Sequence, residues 1–167
     1  MNNTIHSSDD FEGMRKAGNL AASTLDLLVE KVKPGVSTEE LDNIAFDYIV
    51  RHGGLIAPLF YKGYPKSVCT SINHVICHGI PSSRILENGD IVNIDVTVIV
   101  DGWHGDTSRM FPVGKINAKA QKLIDCTFHA MHEGINAAQP DATLGDIGDA
   151  IQTYAEKQNY SVVRDFC

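Results

Sequence analysis

Apolar residues at intervals of three and four positions predict the first helix of the chain. The members of this stripe are Phe11, Met14, Ala17, Ala21, Leu25, Leu28 and Val32. Ser7 or Ser8 can cap its start, and Pro34-Gly35 ends it. A second helix is predicted from the capping box Ser37–Glu40 to the pair Gly53-Gly54.

The clearest strand signal lies between residues 91 and 113. Ile91 to Val100 form one apolar-rich run, and a second run ends at Val113. Asp101-Gly102 separates them, and this dipeptide is typical of a two-residue type I′ hairpin turn. Residues 55–90 are rich in turns, with a short strand predicted around 67–71.

Two further helices and a final strand are predicted after the hairpin. The third helix carries Ile124, Phe128, Met131, Ile135 and Ala138. The fourth begins at a second capping box, Thr143–Asp146, and residues 160–166 read as the start of a strand.

The two capping boxes belong to a longer match. Residues 34–41 and 140–147 share a Pro-x-x-Ser/Thr-x-x-Glu/Asp-apolar pattern at an offset of 106, the distance from Pro34 to Pro140. One interpretation is that two capped amphipathic helices simply look alike. The other is a duplicated fold whose first copy spans about 8–113 and whose second begins in 114–167.

Composition narrows the class of protein. With 167 residues, 43% hydrophobic and 21% charged, the chain fits one globular domain. A net charge of −7 argues against a nucleic-acid binder. There is no signal peptide pattern, and the four cysteines have no Cys-x-x-Cys pairing, so reduced thiols in the cytoplasm are expected.

The predicted hairpin brings two carboxylates to one face. If Val100 pairs with Trp103, Asp95 faces Ser108 and Thr97 faces Asp106. Asp95 and Asp106 are then diagonal neighbours, roughly 7–8 Å apart at the backbone, and can share divalent cations. The alternative is an ordinary solvated face of an antiparallel sheet, and geometry alone does not decide between them.

His78 lies in the segment Cys77–Pro81, next to a Gly-x-Pro turn. An imidazole on such a loop can exchange hydrogen bonds with a peptide group, although an ordinary surface histidine fits the same pattern. His74 and His104 are interpreted as surface histidines.

Three motifs resemble the signature sequences of type I methionine aminopeptidases. They are Asn93-Ile-Asp-Val-Thr97, His104-Gly-Asp-Thr-Ser108 and Ser71-Ile-Asn-His-Val-Ile-Cys-His-Gly-Ile-Pro81. The segment 61–69 is similar to the pocket segment of that family, and the resemblance runs from about residue 8 to the last residue. It implies the pita-bread fold, an α/β (α+β) architecture of two related halves. The first half, with its antiparallel hairpin sheet and flanking helices, would be complete and the second truncated.

The resemblance also implies residue roles. Asp95 and Asp106 correspond to aspartates that bind two divalent cations, with Co, Mn, Fe and Zn not distinguished. His78 corresponds to the histidine that hydrogen-bonds the scissile peptide of a methionyl substrate. The pocket for the methionine side chain would be lined by Tyr61, Tyr64, Cys69 and Thr97.

The implied function is a metal-dependent hydrolase that removes the N-terminal methionine from nascent proteins and peptides. The expected setting is a cytoplasmic monomer that binds neither nucleic acid nor membrane, with a ribosome contact left open. The family's later Gly-His-Gly motif and two glutamate ligands have no counterpart in residues 1–167, a single domain that we therefore expect to be a truncated, inactive fragment. The alternative is a non-catalytic pita-bread relative that acts as a peptide- or protein-binding module.

Overall fold

The computed structural model describes residues 5–164, which form two compact units divided between Ile116 and Asn117. The first unit contains helices α1 (Ser8–Leu28) and α2 (Thr38–Arg51). Its strands are β1 (Leu55–Ile56), β2 (Cys69–Ile72), β3 (Ile91–Val100) and β4 (Trp103–Pro112), with one 3₁₀ turn at Tyr61–Gly63. The second unit contains α3 (Ala118–Ala137) and α4 (Leu144–Lys157).

The sheet of the first unit is antiparallel and has β3 at its centre. β4 pairs with β3 along its whole length, and β2 and β1 pair with different parts of its other edge. Asp101 and Gly102 both have positive φ (51° and 84°), the backbone that a type I′ turn requires. Val100 pairs with Trp103, so the predicted hairpin register is confirmed.

The helices α1 and α2 pack on one face of this sheet. That face presents the β3 side chains that are completely buried: Val92, Ile94, Val96 and Val98. They pack with Ala21, Leu25 and Leu28 of α1 and with Leu41, Ala45 and Ile49 of α2. Because side chains alternate along a strand, the helices leave the other face, with Asp95 and Thr97, free for a site.

One close approach holds α1 against β4. A Cβ at Gly105 would overlap the backbone of Ala17, so the helix can reach the strand only where a glycine stands. Gly105 directly precedes Asp106 in β4, and successive side chains of a strand point to opposite faces. The contact with α1 therefore lies behind Asp106, on the other face of the strand.

Several boundaries differ from the predictions. α1 ends at Leu28 rather than near Val32, and its early apolar residues Phe11 and Met14 stay about half exposed. The short strand β2 spans 69–72 rather than 67–71. Residues 160–164 form no strand, since no described strand pairs with them, while 165 and 166 lie outside the described residues.

In the second unit, α4 repeats the dimensions of α2. Both helices have 14 residues, and both boundaries lie 106 positions apart, from Thr38 to Leu144 and from Arg51 to Lys157. Thr143 caps α4 through the predicted box with Asp146. Within residues 5–164, no helix is long and apolar enough to cross a membrane.

Candidate active site

The site begins on the uncovered face of the hairpin. Thr97 of β3 pairs directly with Asp106 of β4, and Asp95 pairs with Ser108. The two aspartates are therefore diagonal neighbours on one face, as the hairpin register predicted. On the other side of β3, Cys69 of β2 pairs with Asp95. Asp95 thus lies in the middle of three strands, with Cys69 and Ser108 beside it.

The two carboxylates repel each other. Burial raises the pKa of Asp95, the negative charge of Asp106 raises it further, and the nearby imidazole of His78 opposes the rise. No lysine or arginine among the described residues forms a salt bridge with either aspartate. Two neighbouring carboxylates without a lysine or arginine partner are a donor set that fits a divalent cation.

The described residues supply only part of a cation site. Within 5–164, no group of three or more His, Cys, Asp or Glu side chains could hold a metal ion. Tight binding requires several ligands held in a fixed geometry. Asp95 and Asp106 therefore fit a metal as two members of a ligand set rather than as the whole set.

His78 lies on the loop that follows β2, and its side chain is exposed. Its backbone has φ +52°, the left-handed region that residues other than glycine rarely adopt. The carbonyl of the next residue, Gly79, accepts the backbone N–H of Thr70 in β2 (2.8 Å). The loop is therefore held against β2, the strand that pairs with β3 at Asp95.

A third segment, residues 57–65, closes the site. Tyr61 is 65% exposed, and the Lys62 ammonium lies 5.4 Å from the centre of its ring. Tyr64 is half-buried, and its hydroxyl lies 2.9 Å from the Val68 carbonyl oxygen and 3.1 Å from that of Gly79. Burial raises the pKa of the Tyr64 phenol, and its hydrogen bond with Cys69 adds to the rise, so the hydroxyl remains a donor.

These three segments enclose a cavity of about 840 Å³. All seven residues that the sequence singled out line it: Tyr61, Tyr64, Cys69, His78, Asp95, Thr97 and Asp106. Its other walls are Ala57, Pro58, Lys62, Gly63, Pro65, Ile80 and His104. The structure thus brings together predicted residues that lie up to 45 positions apart in the chain, from Tyr61 to Asp106.

His104 and Lys62 were missed by the sequence reasoning. His104 was interpreted as a surface histidine, and it is exposed, but it also lines the cavity two residues before Asp106 on the same strand face. The alternation that selected Asp106 could have selected it as well. Lys62 has no comparable signal, because its place in the wall depends on a left-handed turn at φ +47°.

Comparison with known proteins gives one family model and many relatives. The model of metallopeptidase family M24 matches residues 12–167. The methionine aminopeptidase of Rickettsia prowazekii (strain Madrid E) is 59% identical over 162 residues, which are 97% of this chain and 62% of that protein. The methionine aminopeptidase of Escherichia coli (strain K12) is 51% identical over 166 residues, 98% of this chain and 63% of that protein. The chain therefore spans less than two thirds of the length of these relatives.

Solved structures agree with the fold. The crystal structure of methionine aminopeptidase from Rickettsia prowazekii has a TM-score of 0.96 and covers 98% of this chain, which covers 66% of that one. The methionine aminopeptidase of Thermotoga maritima has a TM-score of 0.94 at 27% identity, with 98% of this chain and 66% of that one covered. The prolidase of Pyrococcus furiosus, at 20% identity and a TM-score of 0.80 over 93% of this chain and 45% of its own, shares the fold alone.

Proposed function

The chain belongs to metallopeptidase family M24, and on that premise we propose that it acts in removing the N-terminal methionine from nascent proteins and peptides. The observation that carries the proposal is the single cavity shared by Asp95, Asp106 and His78. Two carboxylates and an imidazole around one opening are the groups that metal-dependent peptide hydrolysis needs. Relatives that are 59% and 51% identical over the matched 162 and 166 residues are named methionine aminopeptidases.

Membership of a metallopeptidase family implies a divalent metal cofactor. We propose that two cations bind at this site and that Asp95 and Asp106 each contribute carboxylate oxygens. When bound, such cations activate water and polarise the peptide carbonyl. Oxygen ligands suit Co, Mn, Fe and Zn to differing degrees, and the two carboxylates do not select among them.

His78 is proposed to hydrogen-bond the peptide group of the substrate. Its exposed imidazole lies on the cavity wall and close enough to Asp95 to oppose the rise in the pKa of that carboxyl. An imidazole can donate to the peptide carbonyl or accept from its N–H, depending on its protonation. His78 would thus orient the scissile bond over the carboxylates.

The methionine side chain is proposed to pack against the part of the cavity wall formed by Tyr61, Tyr64 and Cys69, with Thr97 beside them. Two aromatic rings and a thiol make this wall apolar, and an unbranched thioether packs well against aromatic rings. Because burial raises the pKa of Cys69, its thiol is neutral at physiological pH, and this wall carries no negative charge from a thiolate.

We also propose that residues 114–167 begin a second copy of the fold of residues 8–113, since α2 and α4 share their length, a hydroxyl side chain at the N-cap and the 106-residue offset, although the reciprocal capping box predicted for both helices forms only in α4. The proposed setting is the cytoplasm, and the proposed substrates are N-terminal methionyl peptides and nascent chains, bound by a monomer.

Methionine release from a Met-Gly-Met peptide tests the proposal. The assay compares the 167-residue chain with a complete polypeptide, in which the chain is followed by the remaining C-terminal part of the Rickettsia prowazekii relative that it matches, each with added Mn²⁺ or Co²⁺. We expect release by the complete polypeptide, its loss in Asp95→Asn, and release near background by residues 1–167 alone. No release by the complete polypeptide with either metal would overturn the proposal.

Calorimetric titration with Mn²⁺ separates an enzyme from a peptide-binding module of the same fold. The low number of ligands among the described residues is the observation that favours the module. Two-site binding of micromolar strength by the complete polypeptide supports the enzyme. Peptide binding without any metal binding supports the module.

A further inference from the structure

The loop that carries His78 is anchored at its start by Asn73. The Asn73 backbone N–H donates to the Ile91 carbonyl (2.9 Å), and its side-chain oxygen accepts the Ile91 N–H (3.0 Å). Its side-chain amide donates to Asp90 (2.8 Å). Three hydrogen bonds therefore tie the first residue of the loop to the start of β3.

The end of the loop is held at the peptide groups of Gly79. Its carbonyl accepts the Thr70 N–H (2.8 Å) and lies 3.1 Å from the Tyr64 hydroxyl. Its N–H donates to the Ser71 hydroxyl at 3.2 Å. A Cβ at Gly79 would overlap the Thr70 carbonyl, so the loop can pack this closely against β2 only because residue 79 is glycine.

His78 lies directly before this anchored glycine and has a left-handed backbone. Such a conformation is unfavourable for a residue with a Cβ and persists only where the surroundings impose it. The Gly79 N–H is part of the peptide group that joins His78 to Gly79. The hydroxyl of Ser71 that accepts this N–H therefore acts on the backbone of His78 itself.

We propose that Ser71 and Tyr64 are positioning residues that hold His78 toward the substrate. Ser71 is 4% exposed and does not line the cavity, so it has no direct path to a bound peptide. Tyr64 joins the pocket wall to the same glycine from the other side. The inference rests on the proposed function, because it takes His78 to be the group that orients the scissile bond.

The Ser71 and Tyr64 hydroxyls are expected to differ in how strongly they restrain His78. Without the Ser71 hydroxyl, the Gly79 N–H loses its acceptor, and the peptide group next to His78 can rotate. Without the Tyr64 hydroxyl, the Gly79 carbonyl still accepts from the Thr70 N–H. We therefore expect Ser71→Ala to lower kcat by about 10- to 100-fold, with a small change in KM, since displacing an orienting group by 1 Å can cost about 100-fold. Tyr64→Phe should have the smaller effect.

The test compares Ser71→Ala with Ser71→Thr, which keeps a hydroxyl, and with Ser67→Ala. Ser67 is the matched control: it is equally buried at 4%, and its bond to Asp42 is made by its backbone N–H. The ¹³Cε1–¹Hε1 signal of His78, assigned from His78→Gln, is recorded at fixed pH in metal-free protein. Methionine release by the complete polypeptide gives kcat and KM.

We expect one sharp His78 signal in the unaltered protein, in Ser71→Thr and in Ser67→Ala. In Ser71→Ala the signal should be shifted or broadened, and kcat should fall in that variant alone. Equal His78 signals in Ser71→Ala and the unaltered protein overturn the inference, as does a loss of kcat that Ser71→Thr fails to restore. The His78 signal is independent of the proposed function, which fails instead if the unaltered complete polypeptide releases no methionine.

Discussion

Asp95 and Asp106 place two negative charges on one face of the hairpin, and Asp95→Asn removes one of them while keeping the shape of the side chain. Burial raises the pKa of Asp95, and the charge of Asp106 raises it further. A carboxyl with a raised pKa in the folded state opposes folding once it is ionised. The metal-free Asp95→Asn variant should therefore be more stable than the unaltered protein at pH 7.

The hairpin register sets the scale of this effect. Diagonal neighbours lie roughly 7–8 Å apart at the backbone, and two unit charges at that distance repel by about 2 kcal/mol at an effective dielectric of 20. The two carboxyl groups approach each other more closely than the backbones do, since a side-chain hydrogen bond between Asp95 and Asp106 contributes to the raised pKa, so this figure is a lower bound on the repulsion. Salt at physiological strength has a Debye length of about 8 Å and reduces the repulsion by roughly half. We expect a gain of at least about 1 kcal/mol in the free energy of unfolding, a measurable share of a total of roughly 5–15 kcal/mol.

The sign with pH follows from the raised pKa. Below the unfolded-state value of about 3.9, the carboxyl is neutral in both states and the penalty is absent. As the pH rises through the raised folded-state pKa, the penalty develops in the unaltered protein and not in Asp95→Asn. The difference in stability between the two proteins should therefore be small at pH 3.5 and full at pH 7.

Urea unfolding in EDTA at both pH values measures this difference. Asp149→Asn on the exposed surface of α4 is the matched control and should show neither effect. Added Mn²⁺ should reverse the order, because a cation that binds the folded state stabilises only the protein that retains its ligand. A variant that is less stable at pH 7 without metal, or a gain that persists unchanged at pH 3.5, would refute the reasoning.

Three further predictions concern the frame around the site. Asp42→Ala should lower the free energy of unfolding, measured in urea, by about 3–5 kcal/mol, because one carboxylate oxygen accepts two buried backbone N–H groups at 2.7 and 3.1 Å. Asp42→Asn keeps an oxygen at this position and should lower it by about 1–2 kcal/mol. Gly105→Ala should cost about 3 kcal/mol, since the new methyl group overlaps the Ala17 backbone. His78→Gly should be more stable than His78→Ala by about 1 kcal/mol, because glycine adopts the left-handed backbone without strain.

Each has a result that would contradict it. Equal losses for alanine and asparagine at position 42 would mean that the retained oxygen contributes nothing. For Gly105, the control is Gly148→Ala in α4, where the new Cβ meets nothing within 4 Å. That change should be neutral or stabilising, and similar results for both glycines would exclude the overlap. At position 78, an alanine variant as stable as the glycine variant would show that the loop relaxes once the imidazole is gone.

The elements that the sequence predicted best are those formed by local rules. α2 begins at its cap Ser37, and α4 begins at its cap Thr143, because a hydroxyl at that position accepts a free N–H of the first turn. The hairpin register followed from Asp101-Gly102, because a two-residue turn leaves one pairing available. The diagonal placement of Asp95 and Asp106 was therefore readable from sequence alone. Their role as metal ligands stays a prediction.

The sequence pattern was less informative where a residue depends on distant partners. Phe11 and Met14 continue the apolar stripe of α1 and yet remain about half exposed, whereas Ala17 is buried by its contact with the strand at Gly105. Periodicity states which face a residue lies on, not how far the neighbouring sheet extends. The same reason explains the missing strand at 160–164.

What the chain decides by itself is the set of helices and the hairpin, since caps, turn residues and alternation act over a few neighbouring positions. What only the tertiary structure decides is the cavity. His78 comes near Asp95 because Thr70, Ser71 and Tyr64 hold the following glycine against β2. Hydrogen bonds between segments that are distant in sequence leave no periodic signal, so their geometry appears only once the segments have packed.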